Sequence, residues 1–97
     1  MRERDIEDYL VKRVNAMGGE VRKVKWIGRR GAPDRLVMLP VWEPSPGNTF
    51  DRTTWVELKA PGVEPEPHQV REHERMRKMG QRVVVIDSLA GVEELLG

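Results

Sequence analysis

Thr53-Thr54-Trp55-Val56-Glu57-Leu58-Lys59, running into Ala60-Pro61-Gly62, is the stretch on which the architecture turns. Its β-branched and aromatic residues, closed off by Pro and Gly, predict a strand over 53–59. Side chains alternate faces along a strand, so Glu57 and Lys59 project from the same side. Two charged groups aimed together off an apolar strand are costly unless each meets a partner, a metal or water. A second stretch, Gly31-Ala32-Pro33-Asp34-Arg35, adds an aspartate beside another expected strand. An acid and a base on one face with a separate carboxylate nearby point to metal-dependent phosphodiester chemistry.

Downstream, residues 60–67 hold three prolines and one glycine, which bar regular structure until Pro67 opens a helix. That helix is expected over 67–79, with Gly80 as its stop. Val83-Val84-Val85-Ile86 predicts a buried strand over 82–87, and Leu89 to Leu96 a short closing helix. A strand–helix–strand crossover of this length places strands 53–59 and 82–87 parallel. Upstream, Leu36-Val37-Met38-Leu39 reads as a strand ended by Pro40, and residues 42–52 carry the turn chemistry of a long hairpin connection. Val21, Val24, Trp26 and Ile27 suggest a strand near 20–27, and Gly28 to Pro33 a turn. Ile6, Leu10, Val14 and Met17 recur at helical spacing, so a helix is expected over 3–17 with Gly18-Gly19 as its end. The order is αβββαβα, an α/β fold with a mixed sheet flanked by helices.

The 97 residues suffice for one small domain, 1–97, with one modest core. The absence of cysteine excludes disulfides and thiolate metal sites and suits a reducing cytoplasm. No apolar run approaches the roughly 20 residues that span a bilayer, so no membrane partner is expected. A core this small, in a chain that is 34% charged, favours burial against a second copy. The net charge of +1 conceals a basic segment of Arg22, Lys23, Lys25, Arg29, Arg30 and Arg35, broken only by Asp34. Arg71, Arg75, Arg77, Lys78 and Arg82 form a second cluster, diluted by Glu72 and Glu74. Phosphate backbone is the natural partner of such patches, and a solvated surface is the plain alternative for the second.

Phosphodiester hydrolysis needs an activated water and neutralisation of the charge that builds on phosphate. Mg²⁺ supplies both when one or two carboxylates and a carbonyl hold it with water positions open. Asp34 and Glu57 offer the carboxylates, the carbonyl of Leu58 a third ligand, and Lys59 an ammonium to orient the water and meet developing charge. Taken alone, Glu57 and Lys59 are equally a same-face surface ion pair of little worth. Gly31 provides either a close backbone approach or an unusual turn before Asp34. Arg29 and Arg30 are candidates for phosphate contacts, as is Lys25; Arg35 is either a phosphate contact or an internal ion-pair partner. Gln69 lies in the first turn of its helix, where it supports the site or simply caps. His68 and His73 are expected to be structural, because hard Mg²⁺ prefers oxygen. Trp26, Trp42 and Trp55 are expected in the core or at a dimer contact, with Trp42 the interface candidate.

Gly-x-Pro-Asp-Arg at 31–35, then Val-Glu-Leu-Lys-Ala-Pro-Gly at 56–62, then Gln69, resembles the VRR-NUC family of the PD-(D/E)XK nuclease superfamily. Compact, stand-alone phage and bacterial members are the most similar. The resemblance implies a Mg²⁺- or Mn²⁺-dependent endonuclease with no small-molecule cofactor, acting in a bacterial or phage-infected cell. Pro33-Asp34 and Glu57-x-Lys59 match the superfamily's core motif, and Gln69 the glutamine that supports it. A glutamate on the first helix completes the acidic set; Glu7 is the expected one, with Glu3 one turn earlier as its rival. The resemblance further implies a homodimer that cuts branched DNA such as four-way (Holliday) junctions. Rival readings are a non-catalytic nucleic-acid-binding module on the same fold, and a nuclease acting on linear or flap DNA.

Overall fold

The computed structural model describes residues 1–40 and 53–97. Helix α1 (Glu3–Ala16) leads into β1 (Glu20–Lys23), β2 (Arg35–Met38) and β3 (Thr53–Leu58). Helix α2 (Pro67–Lys78), β4 (Val83–Ile86) and α3 (Leu89–Leu96) follow, so the order is αβββαβα. The sheet runs β1-β2-β3-β4, with β1–β2 and β2–β3 antiparallel and β3–β4 parallel. The parallel pair and its α2 crossover follow from chain length: the link is too long for a hairpin and holds one helix.

The pleat divides the sheet into two unlike faces. Val37, Val56, Leu58 and Ile86 join Ile6, Leu10 and Val14 of α1 and Val92 and Leu96 of α3 in one apolar core. The register places Arg35 opposite Val56, so Arg35 faces α1 too. On the other face Trp55, Glu57 and Lys59 lie under α2, where Met76 and Val83 are the buried apolar residues. This second layer is polar enough to bury Glu57, Glu72 and His73. Trp55 donates its indole N–H to Gln81 at 2.8 Å, and stands edge-on to Trp26 with ring centroids 6.3 Å apart.

Several boundaries differ from the sequence reading. The strand expected over 20–27 stops at Lys23; one further bond, from the Val24 N–H to the Asp34 carbonyl at 2.9 Å, ends the pairing. Ile27, assigned to that strand by hydropathy, is 99% exposed in the turn that follows. β4 is not buried throughout: it is the sheet's edge among the described residues, and Val85 is exposed. Arg77 of α2 blunts that edge by donating to the Val83 carbonyl from Nε at 3.2 Å and Nη2 at 2.8 Å. α1 ends as expected, with Gly18 at φ 81°. The connection expected over 42–52, with Trp42, lies outside the described residues.

Candidate active site

The C-terminal end of β3, where it leaves the antiparallel partner and still pairs with β4, gathers the candidate residues. The β2–β3 ladder runs to Arg35 opposite Val56. Beyond it the Leu58 N–H no longer has a strand partner on that side and donates to the Asp34 carboxylate at 3.1 Å. A strand residue's N–H and C=O point the same way, so the Leu58 carbonyl also faces the Asp34 side. Pro33 fixes the chain just before Asp34, which thus serves as a side-chain continuation of the sheet ladder.

Glu57 is 3% exposed. Its Oε2 lies 3.6 Å from Lys59 Nζ and accepts a long bond from Gln69 Nε2 at 3.4 Å. Gln69 does two jobs, since its Oε1 also accepts the Glu66 N–H at 2.8 Å at the start of α2. Glu57 Oε1 has only His73 Nε2 nearby, at 3.8 Å, and neither atom has a hydrogen-bond partner. Burial, reinforced by the negative charge of Asp34, pushes the Glu57 carboxyl up to about 7 against the pull of Lys59. Burial likewise raises Asp34, opposed by the Leu58 N–H. His73 is held below its ordinary value by burial, with the charge of Arg77 adding to it.

The two glutamates of α1 have different surroundings. Glu7 is ion-paired with the Arg35 guanidinium, whose Nη1 also donates to the Asp34 carbonyl at 2.8 Å. The charge of Glu3 acts on Asp34, on Glu57 and on Arg35. Of the basic residues expected on DNA, Lys25 and Arg30 are exposed. Arg35 is largely buried and engaged internally, and Arg29 forms a two-bond fork with Glu72. Glu72 is the buried charged residue that the sequence reading left on the surface, while His73, expected to be structural, is buried beside it; the spacing of Gln69 and His73, one helical turn apart, places both on the side of α2 that meets Glu57.

The donors suit a hard divalent cation. A buried carboxylate oxygen without a hydrogen-bond partner, a second carboxylate whose charge it feels, and a carbonyl on the same side are oxygen ligands of the kind Mg²⁺ takes. Among the described residues no three acidic or histidine side chains form a ready-made metal cage.

A mixed sheet with this strand order, an aspartate at the head of β2 and a Glu-x-Lys at the end of β3 defines a PD-(D/E)XK-type nuclease fold. No protein-family profile matches the chain. It is 44% identical over 88 residues to "Putative nuclease p44" of Acyrthosiphon pisum secondary endosymbiont phage 1, a match covering 91% of this chain and 85% of that protein. A solved structure described as a VRR_NUC domain superposes with a TM-score of 0.80 at 41% identity, covering 97% of this chain and 92% of the other. The chain belongs to the VRR-NUC nuclease family.

Proposed function

We propose that this chain is an endonuclease that hydrolyses DNA phosphodiester bonds with Mg²⁺ or Mn²⁺ held by Asp34, Glu57 and the Leu58 carbonyl. The observation that carries the reading is the Glu57 carboxylate, buried with one oxygen unpartnered and its charge opposed by that of Asp34. A fold retains so costly a group where a cation is to be met. When bound, such an ion neutralises phosphate charge and lowers the pKa of water.

The chain's own residues prepare the site. Gln69 holds Glu57 from α2, and the Leu58 N–H orients Asp34. Lys59, tethered at Glu57 with its ammonium at the rim, orients the attacking water and meets negative charge on the phosphate. Glu7, paired with Arg35 beside Asp34, is assigned as the α1 carboxylate that completes the acidic set, with exposed Glu3 one turn earlier as its rival. Lys25 and Arg30 contact the phosphate backbone without reading bases, so binding weakens steeply with salt.

The substrate proposed is branched DNA such as a four-way junction, cut by a homodimer whose two sites act on two strands. The place of action proposed is the bacterial cytoplasm, in keeping with the phage relative. Purified protein incubated with matched linear, single-stranded, flap and four-way substrates in Mg²⁺, Mn²⁺ or EDTA tests all of this. Cleavage should need the metal, favour the junction and vanish in Glu57→Ala and Lys59→Ala. Cleavage surviving both substitutions refutes the site; DNA binding without cleavage under every condition identifies a binding module instead.

A further inference from the structure

One buried carboxylate outside the candidate metal site ties together the two segments that carry it. Glu72 of α2 is 3% exposed. Arg29 donates to it as a fork, Nε to Oε2 at 2.8 Å and Nη2 to Oε1 at 2.7 Å, and Arg75 adds Nε to Oε1 at 3.0 Å. Both guanidiniums stay half in solvent, with side chains 52% and 54% exposed. The turn carrying Arg29 meets α2 again two residues on. A Cβ at Gly31 would lie 2.9 Å from both Glu72 Cβ and the His68 carbonyl, and Gly31 has φ 94°. Thus the 28–33 turn is pressed against α2 by backbone contact and fastened there by a bidentate charged fork. The same helix reaches Glu57 through Gln69 and His73.

We propose that Arg29 is a positioning residue, which through Glu72 clamps the 28–33 turn to α2 and so fixes Asp34 relative to Glu57. It is not a phosphate contact. Helix α2 then serves as the common reference for both carboxylates, one held through Gln69 and the other through the Arg29 fork. Lysine lacks the planar two-point geometry, so retaining the charge alone does not retain the clamp. The consequence for catalysis rests on the metal-dependent reading above; the clamp itself does not.

Two backbone amides report where Asp34 sits without metal or DNA: Val24 donates to its carbonyl at 2.9 Å and Leu58 to its carboxylate at 3.1 Å. The test compares Arg29→Ala, Arg29→Lys, Glu72→Gln and the Arg29→Ala/Glu72→Gln double variant with Arg30→Ala. Amide exchange is followed in metal-free protein, Mn²⁺ affinity by calorimetry, and DNA affinity against salt in EDTA. Arg29→Ala and Arg29→Lys should both speed exchange at Val24 and Leu58 by about tenfold or more, while Leu10 and Val14 in α1 keep their protection. Both should weaken Mn²⁺ binding by a similar factor, and the double variant should be no worse than Glu72→Gln alone. Neither should change the salt slope of DNA binding, whereas Arg30→Ala lowers it by about one.

Unchanged exchange at Val24 and Leu58 in Arg29→Ala overturns the clamp. So does a salt slope reduced by about one and restored by Arg29→Lys, the signature of a phosphate contact. If wild-type protein takes up no Mn²⁺, the metal reading falls, while the exchange data still decide the clamp.

Discussion

Replacing Glu57 with glutamine removes a charge that the fold holds at a cost, and the cost follows from its ionisation. Burial pushes the carboxyl up to about 7 in the folded protein, from an ordinary value of 4.5. Between those values the folded state keeps a proton that the unfolded chain has released. Stability therefore falls as pH rises across this window, and the loss is complete above about 7. A shift of this size corresponds to about 3 kcal/mol. Glutamine resembles the protonated acid in shape and has no such titration. In EDTA, the stability of Glu57→Gln relative to wild type should thus rise by about 3 kcal/mol between pH 4 and pH 8. Thermal unfolding reads this directly, since a domain of this size moves roughly 4–8 °C per kcal/mol. Mg²⁺ at pH 8 should recover stability for wild type and not for the variant, because a ligand stabilises only the state that binds it. Parallel curves for the two proteins from pH 4 to pH 8 in EDTA would refute the claim that burial of Glu57 opposes its ionisation.

Gly31→Ala meets backbone and Cβ atoms at 2.9 Å and must adopt φ 94°, so it should lose about 1–3 kcal/mol in a denaturant titration and lose Asp34-dependent cleavage with it. Glu3→Gln, at an exposed position, should change Mn²⁺ affinity in calorimetry and melting temperature little. Glu7→Gln should weaken Mn²⁺ binding by tenfold or more and lower melting temperature, because it leaves the largely buried Arg35 without its carboxylate; the loss of metal affinity falling on Glu3→Gln instead would move the role to Glu3.

The cost of burying Glu57 is offset by the layering of the fold. The α1/α3 face of the sheet is a continuous apolar core, and it supplies the stability that the polar α2 face lacks. The tightly constrained positions lie together: Gly31 at the α2 contact, the forked Arg29–Glu72 pair, and the unpartnered oxygen of Glu57. Such clustering is expected where backbone and charge are arranged for a ligand and the rest of the fold must hold them.

What the chain determined by itself was whatever depends on local periodicity. The helices over 3–17 and 67–79, the strand at 53–59 with Glu57 and Lys59 on one side, and the parallel crossover all follow from spacings of two and of three to four residues, and from Pro and Gly as punctuation. Even the family resemblance rested on short ordered motifs. What tertiary closure alone decided was how each charge is spent. Arg29 and Glu72 are 43 positions apart, and nothing local announces that a glutamate in a basic helix is buried beneath an arginine from a distant turn. Glu3 and Glu7 occupy successive turns of one helix side, and only the placement of Arg35 on the α1 face separates their surroundings. Hydropathy likewise put Ile27 in a strand that ended four residues earlier, because pairing stops where β2 begins, at a boundary set by its partner and not by its own residues. Local pattern selects the elements; the pairing of charges across them requires the sheet and helices to have met.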